Sequence, residues 1–217
     1  MKGILFKPDM IQAIVEGRKT QTRRLIKPQP KHIIDKHSIT IDGQTSLYIQ
    51  TDLGKSLKVG YQVGETVYIK EAFIIEQAED FTEPSDRPFK NDYEWGLLIP
   101  HYKSTDPDPD LYDEEDRLVS WRSPLFMPEW AARYFIKILA VRAERLQEIT
   151  EDGCVAEGYP LGQVTFGLTP KQLEIAIAMR IGWYHTLWNS INKDYQWESN
   201  PWVFVYEFNF SKGYFEK

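Results

Sequence analysis

The sequence predicts an α+β fold: a closed or partly closed β-barrel with helices at its ends. Three observations predict it. Strand-like runs outnumber helical ones, strand–helix alternation never repeats, and no internal repeat or second core-forming stretch occurs in the 217 residues. A chain of this length folds around one core without a disulfide or metal staple. The expected organisation is a single domain over residues 1–217, with a long acidic insertion at about 76–124.

The elements follow in order. Gly3-Ile4-Leu5-Phe6 reads as a short buried strand. Pro8 suits the first turn of a helix, Asp9 complements its dipole, and Met10, Ile11, Ile14 and Val15 share one face before Gly17 stops it. Thr20 to Ile26 is β-branched and apolar enough for a strand, ended by Pro28 and Pro30. A hairpin around Asp42-Gly43 is expected to join Ile39–Ile41 to Leu47–Ile49. Thr66 to Lys70 is a clearer strand. Residues 76–124 hold six of the thirteen prolines, several flanked by acids, and read as a solvated insertion partly packed on the body. Tyr134 to Val141 is the longest internal strand-like run. Thr150 is positioned to cap a short helix that ends at Gly158. Thr169, Pro170 and Gln172 form a capping-box start, and apolar residues from Leu173 to Ile191 recur at helical spacing to about Asn192. Asn200-Pro201 precedes a closing strand from Trp202 to Phe208. Trp202, Phe204, Tyr206, Phe208 and Phe210 alternate on one face and are expected to be core.

Composition narrows the function classes. The single cysteine, Cys154, excludes an internal disulfide and thiolate-rich zinc sites. His32, His37, His101 and His185 form no HxH or HExxH pair, so no metal is expected. There is no P-loop, no GxGxxG and no GxSxG, and no cofactor is expected. No apolar run reaches the ~18 residues of a membrane span, and the N-terminus is too short for a secretory signal, so a cytoplasmic protein without membrane contact is expected.

Charge is placed unevenly. Formal net charge is −6 overall, but residues 1–31 carry eight Lys/Arg against Asp9 and Glu16, whereas residues 79–116 carry thirteen acids against Arg87, Lys90 and Lys103. A basic patch in an acidic body suits selective capture of a small anionic or nucleic-acid group better than coating of a polyanion.

The densest chemical constellation is Gly17-Arg18-Lys19-Thr20-Gln21-Thr22-Arg23-Arg24. One reading is a helix stop followed by a solvated basic edge strand. The other is a site, in which Arg18, Arg23 and Arg24 crowd Lys19 and disfavour its ammonium form, with burial adding to the effect. A partly neutral lysine can activate a threonine hydroxyl for acyl transfer, and the arginines offer donors for a base edge, a phosphate or an oxyanion. Strand alternation requires Lys19 to sit in the entry turn if it is to serve Thr22. Tyr68, Trp121 and Trp130 are candidates for stacking on a nucleobase, against ordinary packing as the alternative.

Residues 17–24 resemble the GxKxxxxR signature of ASCH domains, small β-barrels related to the PUA fold. Val63 to Tyr68, Leu146 to Asp152 and Asn200 to Phe208 resemble further segments of the same family in the same order, particularly its longer phage and prophage members. The resemblance implies a PUA-like barrel and, from the compact bacterial N4-acetylcytidine amidohydrolases, a lysine–threonine–glutamate catalytic set. By motif the lysine is Lys19 and the threonine Thr22; the glutamate is placed on the helix after Ile149-Thr150-Glu151, at Glu157, against the alternative that Glu157, followed by Gly158, is only the exposed last turn of a short helix. The arginine closing the signature matches Arg24; Arg18, Arg23 and Tyr68 are the further candidate substrate-binding residues from the reading of the residues themselves, and the implied partner is a modified nucleoside or RNA. The chain is about twice as long as those enzymes and carries Arg23 where they have an apolar residue. The rival reading is a non-catalytic PUA-like module that binds RNA through the same basic pocket. A third is a phage-type interaction protein whose acidic insertion engages a host partner.

Overall fold

The computed structural model describes residues 1–41, 44–52, 54, 56–78, 90–92, 96–105, 118–160 and 169–213. Strands dominate and helices are few, giving the expected α+β class. The chain divides into two compact units built from separated stretches. The first comprises Met1–Val15, Thr66–Lys137 and Phe210–Lys217; the second comprises Glu16–Glu65 and Ile138–Asn209. Among the described residues the strands form sheets of five, three and three members. Each has two ends in its strand order, so the closed form of the expected barrel is not seen.

In the first unit, β1 (Gly3–Leu5) runs parallel to β6 (Thr66–Lys70), with Gly3 opposite Tyr68. β6 pairs antiparallel with the start of β10 (Tyr134–Arg145), Tyr68 lying opposite Phe135. Helix α1 (Pro8–Val15) buries Ile11, Ala13 and Ile14, as its apolar periodicity requires. A three-stranded sheet in the order β7 (Phe73–Ala78), β9 (Gly96–Tyr102), β8 (Lys90–Asp92) takes in part of what the prolines and acids made look like a solvated insertion. Phe73, Tyr102, Met127 and Phe135 build the core here with Tyr68. The buried Glu71 binds Arg133 through both carboxylate oxygens, at 3.0 and 2.9 Å. The Arg133 guanidinium lies 3.9 Å from the Tyr102 ring and 4.4 Å from that of Tyr134.

In the second unit the later part of β10 is followed by β11 (Trp202–Lys212) and then β2 (Gln21–Leu25). β11 is buried on both faces: Val203 and Val205 are as inaccessible as Tyr206 and Phe208. The aromatic face is core as expected at Phe204, Tyr206 and Phe208, with Trp202 and Phe210 half-buried, and the opposite face is core as well because β11 lies between two strands and carries α3 (Pro170–Ile191) on its valine side. The hairpin is longer than expected, with β3 (Ile33–Ile41) paired to β4 (Gln44–Thr51) and β4 to β5 (Ser56–Lys58). Its expected turn at Asp42-Gly43 lies outside the described residues. α3 starts in the predicted capping box, Thr169 N–H donating to Gln172 Oε1 at 2.9 Å. Tyr184 and Trp188 fill the core, whereas Leu173 and Ile191, at the two ends of the predicted apolar face, stay exposed.

Candidate functional site

Two glycines aim the chain at the site. Gly17 (φ 74°) ends α1 and leads into Arg18 and Lys19, and Gly158 (φ 98°) ends the helical turn that carries Glu157. Both adopt the left-handed conformation that side-chain-bearing residues avoid. Between them, Lys19 and Glu157 form an antiparallel β-bridge, and the Thr20 N–H donates to the Ala156 carbonyl at 2.8 Å. The turn itself is at Glu16 and Gly17, and Lys19 precedes β2 as an extended, paired residue rather than sitting in the entry turn as expected.

Helix α2 (Glu151–Ala156) is what holds Glu157 in place. Thr150 caps it, its hydroxyl accepting from the Gly153 N–H at 3.1 Å. Ile149 and Cys154 join Tyr184, Trp188 and Val203 in the core of the second unit. Thr150→Ala is expected to lower stability by about 1 kcal/mol, read as a lower urea midpoint with an unchanged m-value.

The side chains converge on one carboxylate. Lys19 Nζ donates to Glu157 Oε2 at 2.5 Å and to the Glu157 carbonyl at 2.9 Å. Arg23 Nη1 donates to the other oxygen, Oε1, at 3.1 Å. Lys19, Glu157 and Arg23 are all buried, at 1%, 3% and 6% exposure. The remaining donors of Arg23 fork onto Glu144: Nε and Nη2 both reach Oε1, at 3.0 and 2.8 Å. Gly153 makes room for this, since a Cβ there would stand 3.1 Å from Arg23 Nη2 and 3.0 Å from Ile149 Cγ1. From Glu144 the pairing continues to Arg142 at 3.0 Å and from Arg142 to Glu207.

Burial lowers the Lys19 pKa from its usual 10.5; Glu157 opposes this, and Arg24 and Arg23 add to it. The expectation of a perturbed lysine therefore holds with a different leading cause, removal from water rather than like-charge crowding. For Arg23, burial works against the charge, but Glu157, Tyr184 and Glu144 together outweigh it and hold the guanidinium charged. Burial pushes the Cys154 thiol up to about 12, which leaves it an inert core residue.

The other sequence-predicted residues are placed as follows. Thr22 is buried in β2 opposite Tyr206 and, by strand alternation, shares a face with Arg24 rather than Arg23. Arg18 donates to Glu16 at 2.7 Å and to the Gly158 carbonyl at 3.1 Å, so it braces the turn after Glu157. Tyr68 belongs to the core of the first unit, its hydroxyl donating to the Met127 carbonyl at 3.3 Å. Trp130 packs on that same core, and Trp121 has Lys103 6.0 Å from its ring. Sequence reasoning missed Glu144, Arg142 and Tyr184. The available signal was the Arg142-x-Glu144 spacing, which puts opposite charges on one strand face, but the predicted strand stopped at Val141.

Among the described residues no group of three or more His, Cys, Asp or Glu side chains could hold a metal ion, and no helix is long and apolar enough to cross a membrane. Comparison with models of known protein families, with curated proteins and with solved structures found no match.

Proposed function

We propose that the protein is an ASCH-like hydrolase, built on a partly closed PUA-like barrel, that removes the acyl group from an N4-acylated cytidine or a related modified nucleoside. The observation that carries this reading is the buried Lys19–Glu157 contact, joining two residues 138 positions apart that the family resemblance implies as partners. A lysine amine held out of water gives up its proton more readily, which is the condition a lysine general base requires.

In this reading Thr22 Oγ attacks the acyl carbonyl carbon as Lys19 Nζ takes the hydroxyl proton. The bond from that carbon to N4 then breaks, and the Lys19 ammonium returns the proton to the departing amine. Water cleaves the resulting threonine ester, releasing the carboxylic acid and restoring the hydroxyl. Glu157 orients the amine through both its carbonyl and its carboxylate. Arg24 shares the Thr22 face, where a guanidinium stabilises a developing oxyanion.

The arrangement weighs against a phosphate-binding module. Arg18 and Arg23 have donors committed to Glu16, Glu157 and Glu144, so the basic run does not offer an open row of cations. The test is release of cytidine from N4-acetylcytidine, followed chromatographically. Thr22→Ala is expected to abolish release and Thr22→Ser to retain a measurable part of it. Absence of cytidine release from N4-acetylcytidine and related acylcytidines by the wild-type protein would overturn the reading.

A further inference from the structure

The six charges from the buried lysine outward alternate in sign: Lys19, Glu157, Arg23, Glu144, Arg142, Glu207. The first three side chains are fully buried, at 0%, 3% and 1% exposure, Glu144 is at 15%, and Arg142 and Glu207 reach 37% and 39%. Glu157 is the only member with both oxygens on fully buried cations. Were Lys19 its sole partner, loss of the lysine proton would leave an uncompensated carboxylate in the interior, and the pair would hold the proton tightly. Arg23 removes that obstacle. Its guanidinium stays charged at every working pH, so Glu157 keeps a counter-cation whether Lys19 is protonated or not.

We propose that Arg23 is a positioning residue for the Lys19 amine: held by Glu144, it neutralises Glu157 and so sets the pH range in which Lys19 exists as a free base. Arg23 acts through Glu157 and by direct repulsion, and both influences favour the neutral amine. Glu144 tempers Arg23 from the opposite side, so its charge has the opposite effect on Lys19. The other ionisable groups around this cluster are Arg24 on β2, Cys154 on α2 and Tyr184 on α3, with Tyr61 and Tyr206 acting on Arg24. The inference rests on the proposed role of Lys19 as a base, but its test does not need a substrate.

The experiment follows the Lys19 side chain by NMR in protein labelled at its lysines, assigned with Lys19→Met, and titrates it in each variant. Arg23→Met is expected to raise the Lys19 titration midpoint by about one unit or more. Arg23→Lys, which keeps the charge, is expected to restore most of the wild-type value. Glu144→Gln, which keeps an oxygen acceptor for Arg23 but removes the negative charge, is expected to lower it. A merely structural role for Arg23 predicts no such opposition of sign. An unmoved midpoint in Arg23→Met, or a shift of the same sign in Glu144→Gln, overturns the proposal. If Arg23→Met fails to fold, Glu144→Gln alone decides by the direction of its shift. Opposed shifts in a protein that deacylates nothing would uphold the charge arrangement while refuting the hydrolase reading.

Discussion

Replacing Lys19 with methionine is expected to reduce acylcytidine deacylation by about a thousandfold, the range supplied by a positioned general base. Methionine keeps most of the lysine's length and apolar volume, so the buried space ahead of β2 stays filled. Glu157 does not lose its last partner in this variant, because Arg23 still binds Oε1. The fold is therefore expected to survive, and circular dichroism with a urea titration checks that the loss is chemical. In the wild-type protein the base must be neutral to act, so the rate is expected to rise with pH up to the lowered Lys19 pKa and then level off. The same shift has a stability consequence. Between the lowered folded value and the usual 10.5 the unfolded chain binds a proton that the folded protein does not, so Lys19's contribution to stability falls as pH falls through that window. Below the folded value both states hold the proton and the contribution is constant.

Glu157→Gln is expected to have the largest effect on stability, a loss of about 3–5 kcal/mol at neutral pH. The substitution is nearly isosteric, so packing is not the cause. It removes the one carboxylate that faces both Lys19 and Arg23, and the new amide must turn an N–H toward one of two buried cations. Lys19 can relieve the conflict by giving up its proton, since Glu157 is the main influence that favours its charged form. Its folded pKa then drops further, the window of unequal proton binding widens, and the deficit relative to wild type grows from alkaline to neutral pH. Chemical denaturation of both proteins across that range measures it. A deficit that does not change with pH would assign Glu157 a role unrelated to the lysine proton.

Much of this was legible in the sequence, for different reasons at different places. Gly17 and Gly158 announced turns, the Thr150 and Thr169 caps announced helices, and all four are where local chemistry predicts. Lys19 stood out because a lysine among arginines is electrostatically awkward, although burial proved the greater influence. Glu157 was different: no local pattern links positions 19 and 157, and only the family resemblance implied the pair. Arg23 was visible as a departure from that family, but its partner Glu144 was not, because the β10 strand runs four residues past its predicted end. The β7–β9–β8 sheet was hidden by prolines and acids in its connections, which dominate the composition of a segment whose strands are short. Both-face burial of β11 depends on which strands flank it, and that is a property of topology rather than of the strand's own alternation.

The central claim is that the Lys19 amine, buried against Glu157, gives up its proton below the range of an ordinary lysine. Direct NMR titration of the Lys19 side chain in the wild-type protein tests it. The account predicts a midpoint clearly below 10.5, matching the rising limb of the deacylation rate against pH. A midpoint at or above that value would contradict it.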